Sequence, residues 1–226
     1  MMNIKKISTV VFAMTAILAV ATQAKAQDQV FDACSAKWLS DYQNTTMLMS
    51  ATVLSRLTLR VDEETGPVYA ARCENDHFSC ESRIFHIVNA AHREALASDV
   101  DPWLVLAMIW NESRFNPYAA SHLGTRGVMQ LHPRNRRFSH IRFVHNERYR
   151  NTCRRRPGNC QGQVIHAGVS LIADAIERCD GSVDQGLVMY NTGRCRFRGI
   201  TYASNALDER DQFEQIAEDL LCGNDT

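Results

Sequence analysis

The sequence predicts a mainly α-helical domain stapled by disulfide bonds and preceded by a helical N-terminal extension. Apolar residues recur at intervals of three and four along much of the chain, whereas the alternation typical of strands is weak. The chain has 226 residues, which is enough for one domain with a sizeable core. All eight cysteines follow an N-terminal export signal, and an even number of exported cysteines is typical of disulfides.

Residues 1–26 have the features of a secretory signal peptide. Lys5 and Lys6 form a positive N-terminal region, an apolar run follows, and Ala24-Lys25-Ala26 fits the small-x-small cleavage rule. An uncleaved membrane anchor is the alternative, but the apolar run is short for a span of ~20 residues. Cleavage after Ala26 predicts a periplasmic or secreted protein with no membrane span in its mature part.

The exported part carries little net charge. Removing residues 1–26 removes three lysines and no acidic residue, which leaves 22 basic and 25 acidic residues. This balance is not typical of a nucleic-acid-binding protein, so no nucleic-acid partner is expected. Residues 134–156, however, hold nine arginines against one acid, Glu147. This segment is either a solvated loop face or a surface for an anionic polymer.

The eight cysteines allow up to four disulfides, and their spacing alone leaves the connectivity open. The disulfide candidates are Cys34, Cys73, Cys80, Cys153, Cys160, Cys179, Cys195 and Cys222. Short loops favour the pairs Cys73–Cys80 and Cys153–Cys160. A zinc site that uses Cys73, His77 and Cys80 is the alternative, but no second ligand pair with zinc-like spacing lies nearby.

The first helices follow from apolar spacing and from turn residues. Residues 35–60 are predicted to form the helix of an N-terminal extension that comprises residues 27–81. Residues 65–80 are predicted to form a loop, because Gly66-Pro67 begins a run of turn residues. A helix is predicted over residues 81–97, with five apolar side chains on one face: Ile84, Ile87, Val88, Ala91 and Ala95.

The remaining helices form the predicted main domain, residues 82–226. Asp101-Pro102 begins a helix, because an acid at the N-cap and a proline at the first position favour one. This helix is apolar nearly all round, which predicts burial, and Asn116-Pro117 ends it. Apolar spacing predicts three more helices, over residues 163–178, 183–190 and 206–221. In the last of these, Phe213, Ile216, Ala217, Leu220 and Leu221 are expected to face inward.

A single acid, Glu112, lies at the end of the apolar helix, and its neighbouring acids in sequence are Asp101 and Glu147. A carboxyl at the end of a buried helix is poorly solvated when charged, so its pKa should rise, and the neutral form can protonate a leaving oxygen. Most glycosidases need a second carboxylate. Unless a distant one folds back, the N-acetyl group of a sugar can serve as the nucleophile instead, with one glutamate acting as acid and then as base. The alternative is a glutamate paired with Arg114 or Arg126 for stability.

Three segments resemble the signature of the soluble lytic transglycosylases, relatives of goose-type lysozyme. "ESRFNPYAASHLGTRGVMQLHP", which begins at Glu112, matches their order of Glu-Ser, aromatic, Asn-Pro, Ala, Ser, Gly-Ala-x-Gly-Leu-Met-Gln and Pro. "VIHAGVSLI" at 164–172 resembles the helix that follows, and "MYNTG" at 189–193 resembles the second motif, Tyr-Asn-Ala-Gly. The resemblance covers roughly residues 82–200 and implies a single lysozyme-like helical domain.

The resemblance implies a role for each matching residue. Glu112 is the catalytic acid and base, and Ser113 beside it is structural. The substrate-binding positions are Ser121, Met129, Gln130, Tyr190 and Asn191, and Tyr190 is expected to face the glutamate. Gly124 and Gly127 are expected to let the backbone approach the glycan closely. Ordinary core packing is the alternative for Met129 and Tyr190.

Several positions depart from the family pattern. Thr125 and Thr192 replace alanine, Val128 replaces leucine, His132 replaces an apolar residue, and Val164 lies where asparagine is frequent. None of these departures removes a group with acid–base chemistry, although Val164 weakens the middle motif.

The resemblance implies an enzyme that cleaves the β-1,4 bond between MurNAc and GlcNAc in peptidoglycan and leaves a 1,6-anhydroMurNAc end. It implies no cofactor and no metal, and its partners are peptidoglycan strands, with or without a secretion or conjugation apparatus. One alternative is a muramidase-type hydrolase, in which the same glutamate activates water. Another is a catalytically weak peptidoglycan-binding component of such an apparatus. Whether the folded groove excludes water decides between the transglycosylase and the hydrolase.

Overall fold

The structure, a computed structural model, describes residues 41–64, 66–70, 73, 79–196 and 201–222. The described residues divide into two units, of which the larger lies within residues 46–217 and the smaller includes residues 41–45 and 218–222. The candidate site described below lies wholly in the larger unit. The predicted signal peptide and residues 27–40 of the predicted extension lie outside the described residues. The predicted boundary at residue 81 stays a prediction.

The described chain begins with helix α1, Tyr42–Leu57, which buries Met49, Val53 and Leu57. Strand β1, Thr58–Asp62, follows and pairs antiparallel with strand β2, Gly66–Tyr69. This hairpin corrects two expectations, a helix that continues to residue 60 and a loop that occupies residues 65–80. The chain turns back after Asp62, so backbone groups that a longer helix would have satisfied are paired across the hairpin instead.

Helices α2, Cys80–Ala97, and α3, Pro102–Ser113, agree with the predicted positions. The five apolar residues expected on one face of α2 are all buried. Asp101 caps α3 by accepting a hydrogen bond from the Trp103 N–H at 2.9 Å. The helix ends at Ser113, before the expected Asn116-Pro117, because Arg114 and Phe115 adopt left-handed backbone with φ of 51° and 57°.

The arginine-rich segment, residues 134–156, contains short helices and is not an open loop. A 3-10 turn at Arg136–Phe138 precedes helix α4, Arg142–His145, and helix α5, Glu147–Thr152. Two further 3-10 turns follow them, at Cys153–Arg155 and, just beyond the segment, at Gly158–Gln161. Four apolar side chains anchor the segment in the core: Phe138, Ile141, Phe143 and Val144. Eight of its nine arginines are exposed, and Arg150 is half-buried.

Three longer helices complete the described chain: α6, Gly162–Arg178; α7, Val183–Thr192; and α8, Tyr202–Cys222. Helix α6 packs against both α2 and α7. Gly186 permits the close approach of α7, because a Cβ there would lie 2.6 Å from Ile176 Cγ1. Helix α8 begins four residues earlier than expected. Leu220, which we expected to face inward, is 50% exposed.

Within the described ranges the structure has three disulfides: Cys73–Cys80, Cys153–Cys160 and Cys179–Cys195. The first two confirm the pairs that short loops favoured. Because Cys73 and Cys80 are bonded to each other, they do not serve as the zinc ligands of the alternative. Cys34 lies outside the described residues, so the fourth disulfide stays a prediction. Among the helices of the described ranges, none combines the length and the apolar character needed to cross a membrane.

Candidate active site

Glu112 lies in the last turn of α3, on the wall of a cavity of about 470 Å³, which we call the acid cavity. Residues from the end of α3 and from the loop after it form this cavity: Asn111, Glu112, Ser113, Arg114, Asn116, Tyr118, Ala119, Ala120 and Gln130. Most of the preceding helix is buried, so the carboxyl lies between an apolar interior and an open groove. The sequence predicted a carboxyl at the end of a buried helix, and its role as a proton donor stays a prediction.

The carboxyl of Glu112 accepts a hydrogen bond from the Tyr202 hydroxyl at 2.5 Å. Burial raises the pKa of Glu112 above its ordinary value of 4.5, and the Tyr202 hydrogen bond opposes this rise. Burial, Tyr190 and the adjacent carboxyl together raise the pKa of Tyr202, so its hydroxyl keeps its proton and acts as the donor. The arrangement holds an acid with raised proton affinity in one orientation.

The structural alternative for Glu112, an ion pair with Arg114 or Arg126, is not formed. Arg114 Nη1 lies 3.7 Å from Glu209 Oε1, and Arg126 Nη1 donates to the Thr125 carbonyl at 2.9 Å. Among the described residues, no ion pair within 4.0 Å includes Glu112. Its carboxyl therefore remains available for proton transfer.

Tyr190 is connected to the Glu112 carboxyl through Tyr202. Its ring stacks on Tyr202, with centroids 6.3 Å apart and planes inclined by 17°. The Tyr190 hydroxyl donates to the Met129 carbonyl at 3.3 Å. Burial, followed by the charge of Glu112, raises the pKa of Tyr190 well above its usual range. Tyr190 thus supports the tyrosine that contacts the acid, and it joins α7 to the first motif.

Ser121 and Gln130 belong to a hydrogen-bond network within the loop. Ser121 Oγ accepts from the Leu123 and Thr125 N–H groups at 3.2 Å each. Thr125 Oγ1 lies 2.7 Å from Ser121 Oγ and 2.5 Å from Gln130 Oε1. Gln130 Nε2 donates to the Gly127 carbonyl at 2.9 Å. The two polar side chains therefore shape the loop, and Gln130 also lines the acid cavity.

The two loop glycines have different surroundings. Gly127, at φ 78°, is buried, and a Cβ there would lie 2.9 Å from Gln161 Oε1 and 3.0 Å from Val164 Cγ1. Gly124 also has a positive φ, 90°, but its nearest neighbour, Pro133 Cγ, is 4.0 Å away. The close approach at Gly127 is thus made to the protein interior. Only Gly124 has open space beside it.

The Met129 side chain is in the core, with 1% of its surface exposed. A Cβ at Gly168 would lie 2.6 Å from Met129 Cε, so the glycine of the middle motif provides the space for this methionine. Ser113 Oγ donates to the Ile109 carbonyl at 3.1 Å, which is a bond within α3. Asn191 is exposed near the end of α7. Of the predicted site residues, Glu112, Ser113 and Gln130 therefore line the acid cavity, and the others do not.

Sequence reasoning missed Tyr202 and Gln161. Tyr202 lies just beyond the segment that carries the resemblance, and its only signal is its position before an amphipathic helix. Gln161 is completely buried; its Oε1 accepts from the Val128 N–H at 3.1 Å and its Nε2 donates to the Pro117 carbonyl at 3.5 Å. A buried glutamine that connects two segments of a loop has no local sequence signal.

A cluster of charged and aromatic side chains holds α8 in place. The Arg56 guanidinium lies 4.3 Å from the Trp110 ring centroid and 4.9 Å from that of Phe213, and it forms an ion pair with Glu209. Arg114 lies over the same Trp110 ring at 4.5 Å. Cation–π contacts of this kind stabilise partly buried guanidinium groups. The cluster joins α1, α3 and α8, and thereby positions Tyr202 beside the acid.

A family model described as "Transglycosylase SLT domain" matches residues 89–213. The matched span is more than half of the chain, and it contains Glu112, Tyr190 and Tyr202.

Proposed function

The chain belongs to the transglycosylase SLT family, and from that premise we propose that it cleaves the MurNAc–GlcNAc β-1,4 bond of peptidoglycan and leaves a 1,6-anhydroMurNAc end. The observation that carries the proposal is the Glu112 carboxyl, which lines a cavity, has a raised pKa and accepts the Tyr202 hydrogen bond. Family membership supports action on peptidoglycan. We propose the 1,6-anhydroMurNAc product and the roles of the individual residues.

In the first step, neutral Glu112 donates its proton to the glycosidic oxygen as the bond to MurNAc C1 breaks. The GlcNAc product leaves with a new hydroxyl, and positive charge develops on the MurNAc ring. The substrate's N-acetyl group stabilises this charge in place of a second carboxylate. Within the described residues, the acid cavity has Glu112 as its one carboxylate, which favours this route.

In the second step, the C6 hydroxyl of MurNAc attacks C1, and the Glu112 carboxylate accepts its proton. One bond breaks and one forms, no water is consumed, and the glutamate regains its starting state. Tyr202 remains protonated throughout because its pKa is raised. Its hydrogen bond stabilises the carboxylate formed between the two steps.

The other predicted residues support the site in different ways. Gln130 lines the acid cavity and is proposed to contact the sugar, while Ser121 acts through Thr125 to hold it. Met129 acts through its carbonyl, which Tyr190 binds. Direct contact between Asn191 and the glycan stays a prediction. The three disulfides and the family fit an extracytoplasmic enzyme, and we propose the periplasm as its compartment.

The test is digestion of purified peptidoglycan by the wild type and by Glu112→Gln, which keeps the shape and removes the proton donor. Loss of a general acid–base should lower the rate on the order of 10²–10⁴-fold. Glu177→Gln, which changes an exposed carboxylate on α6, is the matched control and should clear turbid peptidoglycan like the wild type. Near wild-type clearing by Glu112→Gln would remove Glu112 from this role.

Mass spectrometry of the soluble products separates the two enzymatic alternatives. Intramolecular attack gives products one water lighter than those of hydrolysis. Products that contain the added water would identify a muramidase-type hydrolase. Binding to peptidoglycan without cleavage would identify a binding component.

A further inference from the structure

A second cavity, of about 260 Å³, adjoins the acid cavity, and we call it the arginine cavity. The two share residues 118–120 in their walls. Arg126, Arg150 and Arg154 line the arginine cavity, together with one acid, Glu147. Two of these arginines belong to the segment whose role the sequence left open.

The backbone holds two of the guanidinium groups in place without neutralising them. Arg150 Nη1 donates to the Phe143 and Val144 carbonyls at 3.0 and 3.1 Å. Arg126 Nη1 donates to the Thr125 carbonyl at 2.9 Å. A guanidinium has five N–H donors, so the Nε and Nη2 groups of both arginines remain for a ligand. An oriented guanidinium with its charge intact is suited to a bidentate anion.

The cavity has excess positive charge. No ion pair of the described chain includes Arg126, Arg150 or Arg154, whereas Arg137 of the same segment pairs with Asp174. Three guanidinium groups therefore share a cavity with one carboxylate. An anionic group that enters would meet several donors at once.

A hydrogen bond and a disulfide connect the residues around the cavity. Tyr118 donates from its hydroxyl to the Cys153 carbonyl at 3.2 Å, and Cys153 is joined to Cys160. Burial raises the pKa of Tyr118, whereas the charges of Arg83 and Arg154 oppose this rise. The third arginine is thus next to a disulfide-bonded residue and lines the same cavity as Tyr118.

We propose that the arginine cavity binds a carboxylate of the peptide stem carried by the glycan, so that the enzyme selects peptide-substituted strands. This inference rests on the proposed function. The volume lies below the ~300–1,000 Å³ typical of a pocket for a whole ligand, so it suits one charged group of a larger substrate. Residues 118–120 line both cavities, so the two lie close enough for groups of one polymer.

The test compares soluble glycan oligomers with free stem carboxylates against the same oligomers with those carboxylates converted to carboxamides. The variant is Arg126→Gln/Arg154→Gln, which leaves the loop-anchoring Arg150 in place. The matched control, Arg134→Gln/Arg136→Gln, removes the same charge from exposed arginines that line neither cavity. KM and kcat are measured for both substrates at physiological ionic strength.

For the free-carboxylate oligomer, the cavity variant should raise KM roughly 10-fold and leave kcat nearly unchanged. The KM of the wild type should be similarly higher for the amidated oligomer. The KM of the cavity variant should differ little between the two oligomers. The control should behave like the wild type. Equal losses in variant and control, or an equal wild-type KM for both oligomers, would overturn the proposal.

A binding measurement separates this inference from the proposed function. Calorimetry with Glu112→Gln and the two oligomers reports binding without cleavage. Tighter binding of the free-carboxylate oligomer, lost when Arg126→Gln/Arg154→Gln is added, supports the arginine cavity even if the wild type cleaves neither substrate. Equal binding of both oligomers would contradict it.

Discussion

Glu112 and Tyr202 are separated by 90 residues in sequence and share a hydrogen bond of 2.5 Å. The bond lowers the pKa of Glu112 against the larger effect of burial, which raises it. The tyrosine thus has two effects on the carboxyl, since it fixes the orientation and it limits the rise in proton affinity. Both effects can be measured separately.

Tyr202→Phe should lower kcat about 10- to 100-fold, because the acid loses its fixed position, and should change KM less. The hydrogen bond favours the charged carboxylate, so its removal should raise the pKa of Glu112 further. The alkaline limb of the pH–rate profile, which requires the protonated acid, should therefore move to higher pH. An unmoved limb would show that Tyr202 does not act on Glu112.

Tyr190→Phe is the control for that experiment. Its hydroxyl is bonded to the Met129 carbonyl and not to the acid, while its ring stacks on Tyr202. The phenylalanine keeps the ring, so the alkaline limb should stay at the wild-type position even where kcat falls. A shift equal to that of Tyr202→Phe would assign the effect to the tyrosine pair as a whole.

Glu112→Gln should be more stable than the wild type at neutral pH. The pKa of Glu112 is raised in the folded protein, so the folded state binds this proton more tightly than the unfolded chain. The resulting stability is complete below the ordinary value of 4.5 and is lost as pH rises through the raised pKa. The Tm of the variant should exceed that of the wild type at neutral pH, and the two should converge below the ordinary value. About 2–4 °C corresponds to 1 kcal/mol for a domain of this size. A difference that does not change with pH would contradict this explanation.

Gly127→Ala should destabilise the protein more than Gly124→Ala. Both positions have positive φ, which costs about 1–2 kcal/mol for an L-residue. At Gly127 the new methyl would also press against Gln161 Oε1 at 2.9 Å and Val164 Cγ1 at 3.0 Å, which adds about 1–3 kcal/mol. Urea unfolding of both variants measures the difference. Equal losses would show that the interior yields at Gly127.

Removal of the Cys153–Cys160 disulfide by paired serine substitutions should destabilise the protein by about 2–3 kcal/mol in the chain-entropy model. The KM for the free-carboxylate oligomer should also rise, because this disulfide holds the backbone beside the arginine cavity. Thiol titration of the denatured, unreduced wild type should find essentially no thiol, which requires that Cys34 and Cys222 also form a disulfide. Two thiols per chain would limit the protein to the three described disulfides.

The helices were predictable where one periodic signal decides the structure. Ile84, Ile87 and Val88 lie on the buried face of α2, as their spacing indicated, and Asp101 caps α3 as its type suggested. The hairpin after α1 was missed because residues 35–60 were predicted to form one helix, whereas Leu59 and Val61 lie in β1 and are 70% and 74% exposed. The short strand depends on pairing with β2, and pairing is not a local property.

The position of Glu112 at the end of a buried apolar helix was predictable from the sequence, but its surroundings were not. Tyr202 and Gln161 act through contacts 90 and 33 residues away in sequence, which no local pattern reports. The motif suggested that the Met129 side chain lines the sugar groove. In the structure, the absence of a side chain at Gly168 leaves space for the Met129 side chain in the core.

The position of Tyr202 at the start of the last helix also sets an order in time. At the usual synthesis rate of about 5–20 residues per second, 90 residues take on the order of 5–20 seconds to add. A nascent chain that already contains all three resembling segments therefore lacks the hydrogen-bond partner of its carboxyl. Glu209 and Phe213, which hold α8 to the rest of the protein, emerge later still. The carboxyl thus gains its hydrogen-bond partner only after residue 202 has been added, and the helix that carries this partner is anchored only after residue 213.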